Sequence, residues 1–450
     1  MGMGKGMLQD ISRVDCVLIS PASRSINHFR PPLSLIYLGG YLKFRGLSVS
    51  IIDVTMNSIV RDKSFYRDRS KLLDAVRREQ IRQIDATESD VYGISCYSPE
   101  FEEVKELITM VRLMRPKAKI VVGGIHPTLR PHEFKGIADV IVQGEGEHCL
   151  YNIVANGWRD TIHCDPYPIN DISHPDYSLV DMKYYTQPNP YAIRGVYIRP
   201  AYVLASRGCP SQCSFCVAPQ LAEYTTRGRY RFVYKIGAEI LGLQLDYKID
   251  GVYFVDDMLT HNENFIYDLC KQMRARKIIW GCSSKINTVN ENMLKEMARS
   301  GCVQIDFGVE RGSDQALRAI QKYQTVSQIK TVFRQCQENG IRTFANMLIN
   351  IPGETDKDYD DIVELLKEIK PSVTSVNVYQ EYVGTQLKGK QPTQWVLMWA
   401  ELVTKRYTSL LAAIDFHFSL RYLRILLCSK AKMSYLKNLW NLLREAVNIL

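Results

Sequence analysis

The sequence lacks the segments that would carry a chain into or across a membrane. Residues 1–7 contain no apolar run of about 7–15 residues, which a secretory signal requires. No stretch of about 18 uncharged apolar residues occurs, so no transmembrane helix is predicted. Dense Lys/Arg blocks interleaved with aromatics are also missing, so the net charge of +9 does not indicate a nucleic-acid partner. We therefore expect a cytoplasmic protein that does not bind nucleic acid.

Disulfides are rare in cytosolic proteins, so the 12 cysteines need another explanation. Three of them, Cys209, Cys213 and Cys216, lie close together in the sequence. The others are scattered, mostly within apolar runs, and are interpreted as small buried side chains. These are Cys16, Cys96, Cys149, Cys164, Cys270, Cys282, Cys302, Cys336 and Cys428.

The first third of the chain alternates between short apolar runs and amphipathic stretches. This pattern predicts an α/β domain over residues 14–150 with a doubly wound, flavodoxin- or Rossmann-like parallel sheet. Parallel sheets bind ligands at the carboxyl ends of their strands. Small and turn-forming residues cluster at those ends. They include Ser95, Gly123, Gly124 and Gly144. Strands are predicted at 14–20, 48–54, 90–96, 119–122 and 139–143.

The alternation stops and then resumes. Proline is frequent between residues 161 and 200, so residues 151–200 are predicted to be an ordered linker. Six further strand-like runs predict a partial (β/α)6 barrel over residues 201–388, with its site at the carboxyl ends of the strands. They lie at 201–206, 251–255, 277–282, 303–309, 342–349 and 373–379.

The last segment, residues 389–450, has no strand signal and is predicted to be helical. Acidic residues are absent between Asp415 and Glu445, whereas Lys and Arg alternate with Leu, Ile, Tyr and Trp. One interpretation is a cap on the open side of the barrel. The alternative is peripheral contact with an anionic membrane surface, which would favour a lipid substrate.

The clustered cysteines lie in the segment SRGCPSQCSFCVAP, residues 206–219, with CxxxCxxC spacing. Three thiolates in one loop can bind three irons of a 4Fe–4S cluster and leave the fourth iron open. Zinc is the alternative, although structural zinc usually has four protein ligands with paired CxxC spacing. The upstream residues His163, Cys164 and His174 do not complete such a pattern.

CxxxCxxC with an aromatic residue before the last cysteine, Phe215, resembles the radical S-adenosylmethionine superfamily. The resemblance implies that the open iron binds S-adenosylmethionine and that one electron cleaves it to a 5′-deoxyadenosyl radical. It also implies an external electron donor such as a flavodoxin or ferredoxin. Residues 308–312 (GVERG) resemble a GVESG-like segment of the family, which implies that Glu310 lies beside the ribose hydroxyls.

Two other segments differ from the usual family pattern. Residues 346–355 (NMLINIPGET) resemble the GFxxGLPGET segment near the adenine, which includes Gly353, but asparagine occupies positions 346 and 350 where glycine is usual. The second barrel strand ends in Asp256 and Asp257 instead of a GGE-like segment. These two carboxylates are interpreted either as part of a polar pocket or as helix N-caps.

The N-terminal half resembles the cobalamin-binding domain that precedes the barrel in one large branch of this superfamily. The similarity lies in residues 31–46, Asp53, residues 123–128 (GGIHPT) and residues 143–147 (QGEGE), so that resemblance covers residues 14–385 overall. His28 lacks the context of a DxHxxG motif, so no protein histidine is expected on cobalt. Some relatives lose or repurpose the cobalamin. The residues expected to bind it are Ser95, Gly123, Gly124, His126, Gly144 and Glu145.

Three functions remain open at this point. The first is a cobalamin-dependent radical methyltransferase that acts on an unactivated carbon of a small-molecule or lipid substrate. The second is a radical cyclase or oxidoreductase that resembles the anaerobic protoporphyrin ester cyclase. The third is a non-enzymatic iron–sulfur or zinc module. Methyl label from S-adenosylmethionine enters the product only in the first case.

Overall fold

The computed structural model describes residues 12–23, 30–55, 69–171, 175–225, 228–381 and 383–408. His28 and residues 409–450 lie outside these ranges. The chain divides into two compact units. The N-terminal unit runs to Tyr185 and includes the short segment Glu223–Thr225, and the barrel unit comprises the rest from Thr186. In the part of the chain described, no helix combines the length and apolar character needed to cross a bilayer.

The N-terminal unit is built on a parallel sheet of six strands among the described residues. Its strand order is β2-β1-β3-β4-β5-β6. From β1 the chain first adds β2 on one side of the sheet and then adds β3 to β6 on the other, so the strand order reverses between β1 and β3. In doubly wound sheets, ligands bind beside such a reversal. The strands are β1 (Cys16–Ile19), β2 (Val49–Ile52), β3 (Val91–Ser95), β4 (Lys119–Gly123), β5 (Val140–Gly144) and β6 (Asp160–Cys164).

Helices connect these strands and bury their apolar faces on the sheet. One core cluster joins the helix after β3 to the strands through Val104, Leu107 and Val111, which are nearly inaccessible to solvent. The doubly wound prediction is confirmed. The helices are α1 (Leu33–Phe44), α2 (Arg69–Ala86), α3 (Phe101–Met114), α4 (Ile125–Leu129), α5 (Gly146–Asn156) and α6 (Met182–Tyr185).

The linker prediction for residues 151–200 is wrong, because its first part completes this sheet. Strand β6 pairs in parallel with β5, and Gly144 lies opposite Cys164. Its sequence, DTIHC, has no apolar run, since most of its residues face solvent at the sheet edge. Cys149 and Cys164 also form a disulfide that joins α5 to β6, which corrects the prediction that both are free buried side chains.

The barrel unit contains a second parallel sheet of six strands within the described ranges, and each strand pairs with the next one along the chain. This order is that of a partial (β/α)6 barrel and confirms the predicted class. The strands are β7 (Pro200–Val203), β8 (Gly251–Phe254), β9 (Ile279–Ser284), β10 (Cys302–Glu310), β11 (Arg342–Ile349) and β12 (Val373–Val378).

The barrel helices begin at side-chain caps that the sequence supplies. Asn262, Asn290 and Thr325 each accept a hydrogen bond from a backbone N–H of the first turn. The helices are α7 (Val233–Tyr247), α8 (Glu263–Arg276), α9 (Glu291–Arg299), α10 (Asp314–Ala319), α11 (Val326–Glu338), α12 (Asp356–Ile369) and α13 (Gln394–Arg406). Of the segment 389–450 that is predicted to be helical, the described part contains α13. The two interpretations of that segment depend on residues 409–450, which lie outside the described residues.

The second part of the predicted linker contacts the amino-terminal half of the barrel strands. Arg342, the first residue of β11, donates a hydrogen bond of 2.8 Å to the carbonyl oxygen of Arg194. The Arg194 guanidinium lies 4.9 Å from the ring centroid of Phe344 on the same strand. These contacts give residues 186–199 a structural role in the barrel unit, opposite the end at which the cysteine motif follows β7.

Candidate functional site

The cysteine loop is closed at its base by a short antiparallel pair. Ser206 and Arg207 pair with Tyr230 and Arg229, so the residues between them form a loop at the carboxyl end of β7. All three cysteines lie in this loop. Cys213 is buried, and Cys209 and Cys216 are partly exposed. The backbone N–H of Ala218 donates to Cys216 Sγ at 3.5 Å, the kind of bond that stabilises a thiolate.

Burial raises the pKa of the Cys213 thiol, against the lowering effect of the Lys322 and Lys285 ammonium groups. Burial also raises the pKa of Cys216 to about 11. Metal binding at this loop must therefore displace protons from the thiols. Within the described ranges, no three His, Cys, Asp or Glu side chains are grouped so as to hold a metal ion. In a 4Fe–4S cluster each thiolate binds a different iron, so this donor set fits a cluster better than a single zinc ion.

Asp256, at the end of β8, holds the start of the cysteine loop. Its carboxylate is almost fully buried and accepts hydrogen bonds from Ala205 N at 3.1 Å and from Ser206 Oγ at 2.6 Å. It also accepts from the backbone N–H of Ser206. Burial raises the pKa of Asp256 to about 6, against these hydrogen bonds. The structure therefore favours neither a substrate pocket nor an N-cap for Asp256, which instead fixes the backbone between β7 and the cysteines.

Glu310 ends β10 in a strained backbone position. Its φ of 69° lies in the left-handed region, and the register with β11 shifts between Gly308 and Glu310. The carboxylate oxygen Oε1 accepts a hydrogen bond from Lys322 Nζ at 2.9 Å, and both side chains are nearly buried. A Cβ on Gly308 would lie 2.5 Å from each of these two polar atoms, so a larger residue there would require the ends of the two side chains to shift.

Phe215 connects this ion pair to the cysteine loop. The Lys322 ammonium lies 5.6 Å from the centroid of the Phe215 ring. Burial lowers the pKa of Lys322, but the charges of Glu310 and Cys213 outweigh it, and the net pKa is raised. The raised pKa keeps Lys322 protonated, and its ion pair with Glu310 holds the two side chains together at the end of β10.

The structure explains one of the two unusual asparagines, Asn350, which directly follows β11. Asn350 has a φ of 67°, a conformation in which asparagine is the most tolerated residue after glycine. Its Nδ2 donates to the carbonyl oxygens of Tyr379 at 3.0 Å and Lys390 at 2.9 Å. The asparagine thus replaces the usual glycine and adds two contacts. Gly353, the predicted adenine-side residue, has a φ of 80° and open space around its Cα.

In the N-terminal unit, the predicted cofactor residues lie along the carboxyl edge of the sheet. Ser95 pairs in register with Gly123. A Cβ on Gly124, whose φ is 106°, would lie 2.7 Å from the carbonyl oxygen of Cys96. A Cβ on Gly144 would lie 2.5 Å from that of Cys164. Backbones therefore approach each other closely along this edge, where Glu145 also precedes α5 and is largely buried. Such an edge fits a flat cofactor.

His126, predicted to contact the cofactor, has protein partners at both ring nitrogens. Its ring is buried, with Nδ1 2.9 Å from Ser98 Oγ and Nε2 3.0 Å from Glu133 Oε2. The ring also lies 4.7 Å, centroid to centroid, from Phe101. Because both nitrogens have protein partners, the histidine holds the loop after β4 in place and offers no free nitrogen to cobalt.

Four residues at these sites were not singled out from the sequence. The positive charges of Lys285 and Lys322 act on Cys213 in the cysteine loop. Arg311 forms a buried ion pair with Glu354. Tyr224, within the short segment assigned to the N-terminal unit, accepts a hydrogen bond from Gln143 Nε2 at 3.3 Å. None of these residues belongs to a sequence pattern with a recognisable spacing. They are identified by their proximity in the fold to the residues of the motifs.

Glu310→Gln is expected to weaken S-adenosylmethionine binding about ten- to hundredfold while leaving the iron content unchanged. A charge-assisted hydrogen bond to the ribose contributes about 1.5–3 kcal/mol, which corresponds to that range. Equilibrium binding to the reconstituted protein measures it. Glu291→Gln, on the exposed face of α9, is the control. An unchanged dissociation constant in a folded Glu310→Gln protein would contradict the ribose assignment.

Comparison with protein-family models matches residues 20–154 to the B12 binding domain and residues 203–366 to the Radical SAM superfamily. An uncharacterized methyltransferase of Pyrococcus horikoshii is 25% identical over 395 residues, which cover 82% of this chain and 80% of that protein. The anaerobic magnesium-protoporphyrin IX monomethyl ester cyclase of Rubrivivax gelatinosus is 23% identical over 394 residues, which cover 79% of this chain and 65% of the cyclase.

Two solved structures share the fold. The radical S-adenosylmethionine methyltransferase TsrM of Kitasatospora setae, with cobalamin and a 4Fe–4S cluster bound, matches with a TM-score of 0.61 and 19% identity, over 82% of this chain and 73% of that one. The cobalamin-dependent radical enzyme OxsB, with aqua-cobalamin and S-adenosylmethionine bound, matches with a TM-score of 0.63 and 15% identity, over 89% and 56%. The match to the Radical SAM superfamily, together with the methyltransferase relative, argues against the third function considered, a non-enzymatic iron–sulfur or zinc module. The chain therefore combines a B12 binding domain with a domain of the Radical SAM superfamily that follows it in the sequence.

Proposed function

We propose that this chain is a cobalamin-dependent radical methyltransferase that methylates an unactivated carbon. The observation that carries the proposal is the combination, in one chain, of a three-cysteine loop on a partial barrel and a glycine-lined sheet edge in a B12 binding domain. A methyltransferase of this type needs both. When bound, the cluster, S-adenosylmethionine and cobalamin would supply the one-electron cleavage and the transferable methyl group.

The residues of the chain would bind and orient these groups. Cys209, Cys213 and Cys216 would hold three irons and leave the fourth for S-adenosylmethionine. Glu310, which is paired with Lys322, would accept hydrogen bonds from the ribose hydroxyls. Phe215 and Gly353 would pack near the nucleoside. No side chain is required as a general base, because the hydrogen leaves the substrate carbon as an atom and not as a proton.

The residues of the N-terminal unit would bind cobalamin through shape more than through charge. Ser95, Gly123, Gly124 and Gly144 would let the corrin approach the backbone at the carboxyl ends of β3, β4 and β5. Glu145 would lie beside them. We expect no protein histidine on cobalt. His28 lies outside the described residues. The pairing of His126 with Ser98 and Glu133 supports this expectation, because both of its ring nitrogens have protein partners.

Transfer of isotope from methyl-labelled S-adenosylmethionine tests the proposal. The full chain, reconstituted anaerobically with iron, sulfide and cobalamin, is given a low-potential reductant and a metabolite extract from a strain that lacks its gene. We expect 5′-deoxyadenosine to form together with a new product that contains the labelled methyl group. Cys213→Ala serves as the inactive control, because the loop then lacks one iron ligand.

The cyclase relative supports a second candidate, a radical cyclase or oxidoreductase. This candidate predicts formation of 5′-deoxyadenosine and an oxidised or cyclised product without the labelled methyl group. The same experiment therefore separates the two functions. Product mass distinguishes them as well, because methylation replaces a hydrogen with a methyl group and cyclisation adds none.

A further inference from the structure

A second lysine, Lys285, lies beside the cysteine loop. It follows β9 directly, so the barrel brings it to the same end of the sheet as the loop after β7. Its Nζ lies 3.5 Å from the hydroxyl of Ser211, which stands between Cys209 and Cys213 in the loop. Only 8% of Lys285 is exposed, although ammonium groups are seldom buried without an ionic partner.

Lys285 and Lys322 differ in whether a carboxylate pairs with the ammonium group. Lys322 is paired with Glu310 at 2.9 Å. Among the described residues, no carboxylate lies within 4.0 Å of the Lys285 ammonium. Burial lowers the pKa of Lys285, and the charge of Lys322 adds to this effect, whereas Cys213 and Cys209 act in the opposite direction. The cysteines of the loop are thus the groups that favour the charged form of this buried lysine.

We propose that Lys285 makes the iron–sulfur cluster easier to reduce. This inference rests on the cluster assignment of the proposed function. Three thiolates and a 4Fe–4S core carry a net negative charge, and reduction adds one electron from the external donor without removing a proton. A fixed, buried cation beside the loop stabilises the reduced form more than the oxidised form. Charge and hydrogen bonds around a cluster are established determinants of its reduction potential.

Redox titration of the reconstituted full chain tests this role. The fraction of reduced cluster is followed by electron paramagnetic resonance against dithionite-poised dyes, without S-adenosylmethionine. Lys285→Gln, which removes the charge but retains a donor for Ser211, is expected to lower the equilibrium constant for reduction about tenfold. For a one-electron couple this is a shift of about 59 mV to more negative potential. Lys285→Arg is expected to keep the wild-type potential.

Two controls define the outcomes. Lys295→Gln, an exposed lysine on α9 paired with Glu291, should leave the potential unchanged. Ser211→Ala removes the hydroxyl and keeps the charge, so it too should have little effect. If Ser211→Ala reproduces the shift, loop shape and not charge sets the potential, and the proposal fails. It also fails if Lys285→Gln holds four irons at an unchanged potential.

Two further results would contradict the proposal in different ways. A shift that occurs only when S-adenosylmethionine is added would make Lys285 a partner of that ligand's carboxylate. If neither Lys285→Gln nor Lys285→Met holds a cluster while Lys285→Arg does, the charge is needed for assembly and not for reduction. If the wild-type chain itself binds no cluster, the proposed function fails first, which separates the two claims.

Discussion

Replacing any one of Cys209, Cys213 or Cys216 with alanine is expected to abolish assembly of the four-iron cluster and, with it, cleavage of S-adenosylmethionine. The loop contains three cysteines and no fourth that could replace a missing iron ligand. Iron and sulfide analysis after anaerobic reconstitution, with the visible absorbance of the cluster, measures the loss. Production of 5′-deoxyadenosine should fall to background.

Cys336→Ala is the matched control for this experiment. Cys336 is a free, fully buried cysteine on α11, away from the loop, so its replacement removes one thiol without touching the motif. It should keep full iron content. A loop variant that still binds four irons with unchanged absorbance would refute the cluster assignment for that cysteine.

Gly124→Ala is expected to weaken cobalamin binding at least about tenfold while the cluster still assembles. Its φ of 106° is strained for any residue with a side chain, and the new Cβ would meet the Cys96 carbonyl oxygen at 2.7 Å. Backbone strain of this kind costs about 1–3 kcal/mol, and relief would require the loop after β4 to move. Titration of the purified protein with cobalamin, followed by absorbance after gel filtration, gives the affinity.

Gly136→Ala separates backbone strain from the specific clash. Gly136 lies in the same unit with a φ of 82°, but no atom lies within 4 Å of the Cβ it would acquire. It should bind cobalamin with wild-type affinity. Equal loss in both variants would mean that general destabilisation, and not the geometry of the sheet edge, accounts for the effect of Gly124→Ala.

The sequence was informative where apolar residues formed continuous runs. Strands β1 to β5 and β7 to β12 lie within or beside their predicted ranges, because most of their residues are buried and many are apolar. Strand β6 was missed because an edge strand with solvent-facing residues has no such run. The Cys149–Cys164 disulfide was missed for a related reason, since it depends on the pairing of β6 with β5.

The site was predictable to the extent that its residues occur in motifs. The three cysteines, Glu310 and Gly353 stand at fixed positions in short segments. The function of Asp256 was not predictable, because its hydrogen-bond partners precede it by some fifty positions and only the pairing of β7 with β8 brings them together. The same is true of Lys285, whose neighbour Ser211 lies in an earlier part of the barrel.

The sequential strand order of the barrel has a consequence for folding during synthesis. The cysteine loop belongs to the first strand–helix unit, whereas Lys285 and Glu310 follow β9 and end β10. A nascent chain therefore presents all three thiols before any of the charged groups that surround them exists in folded form. Domains fold as units as they emerge, so the charged surroundings of the thiols form only after four of the six barrel strands described have paired.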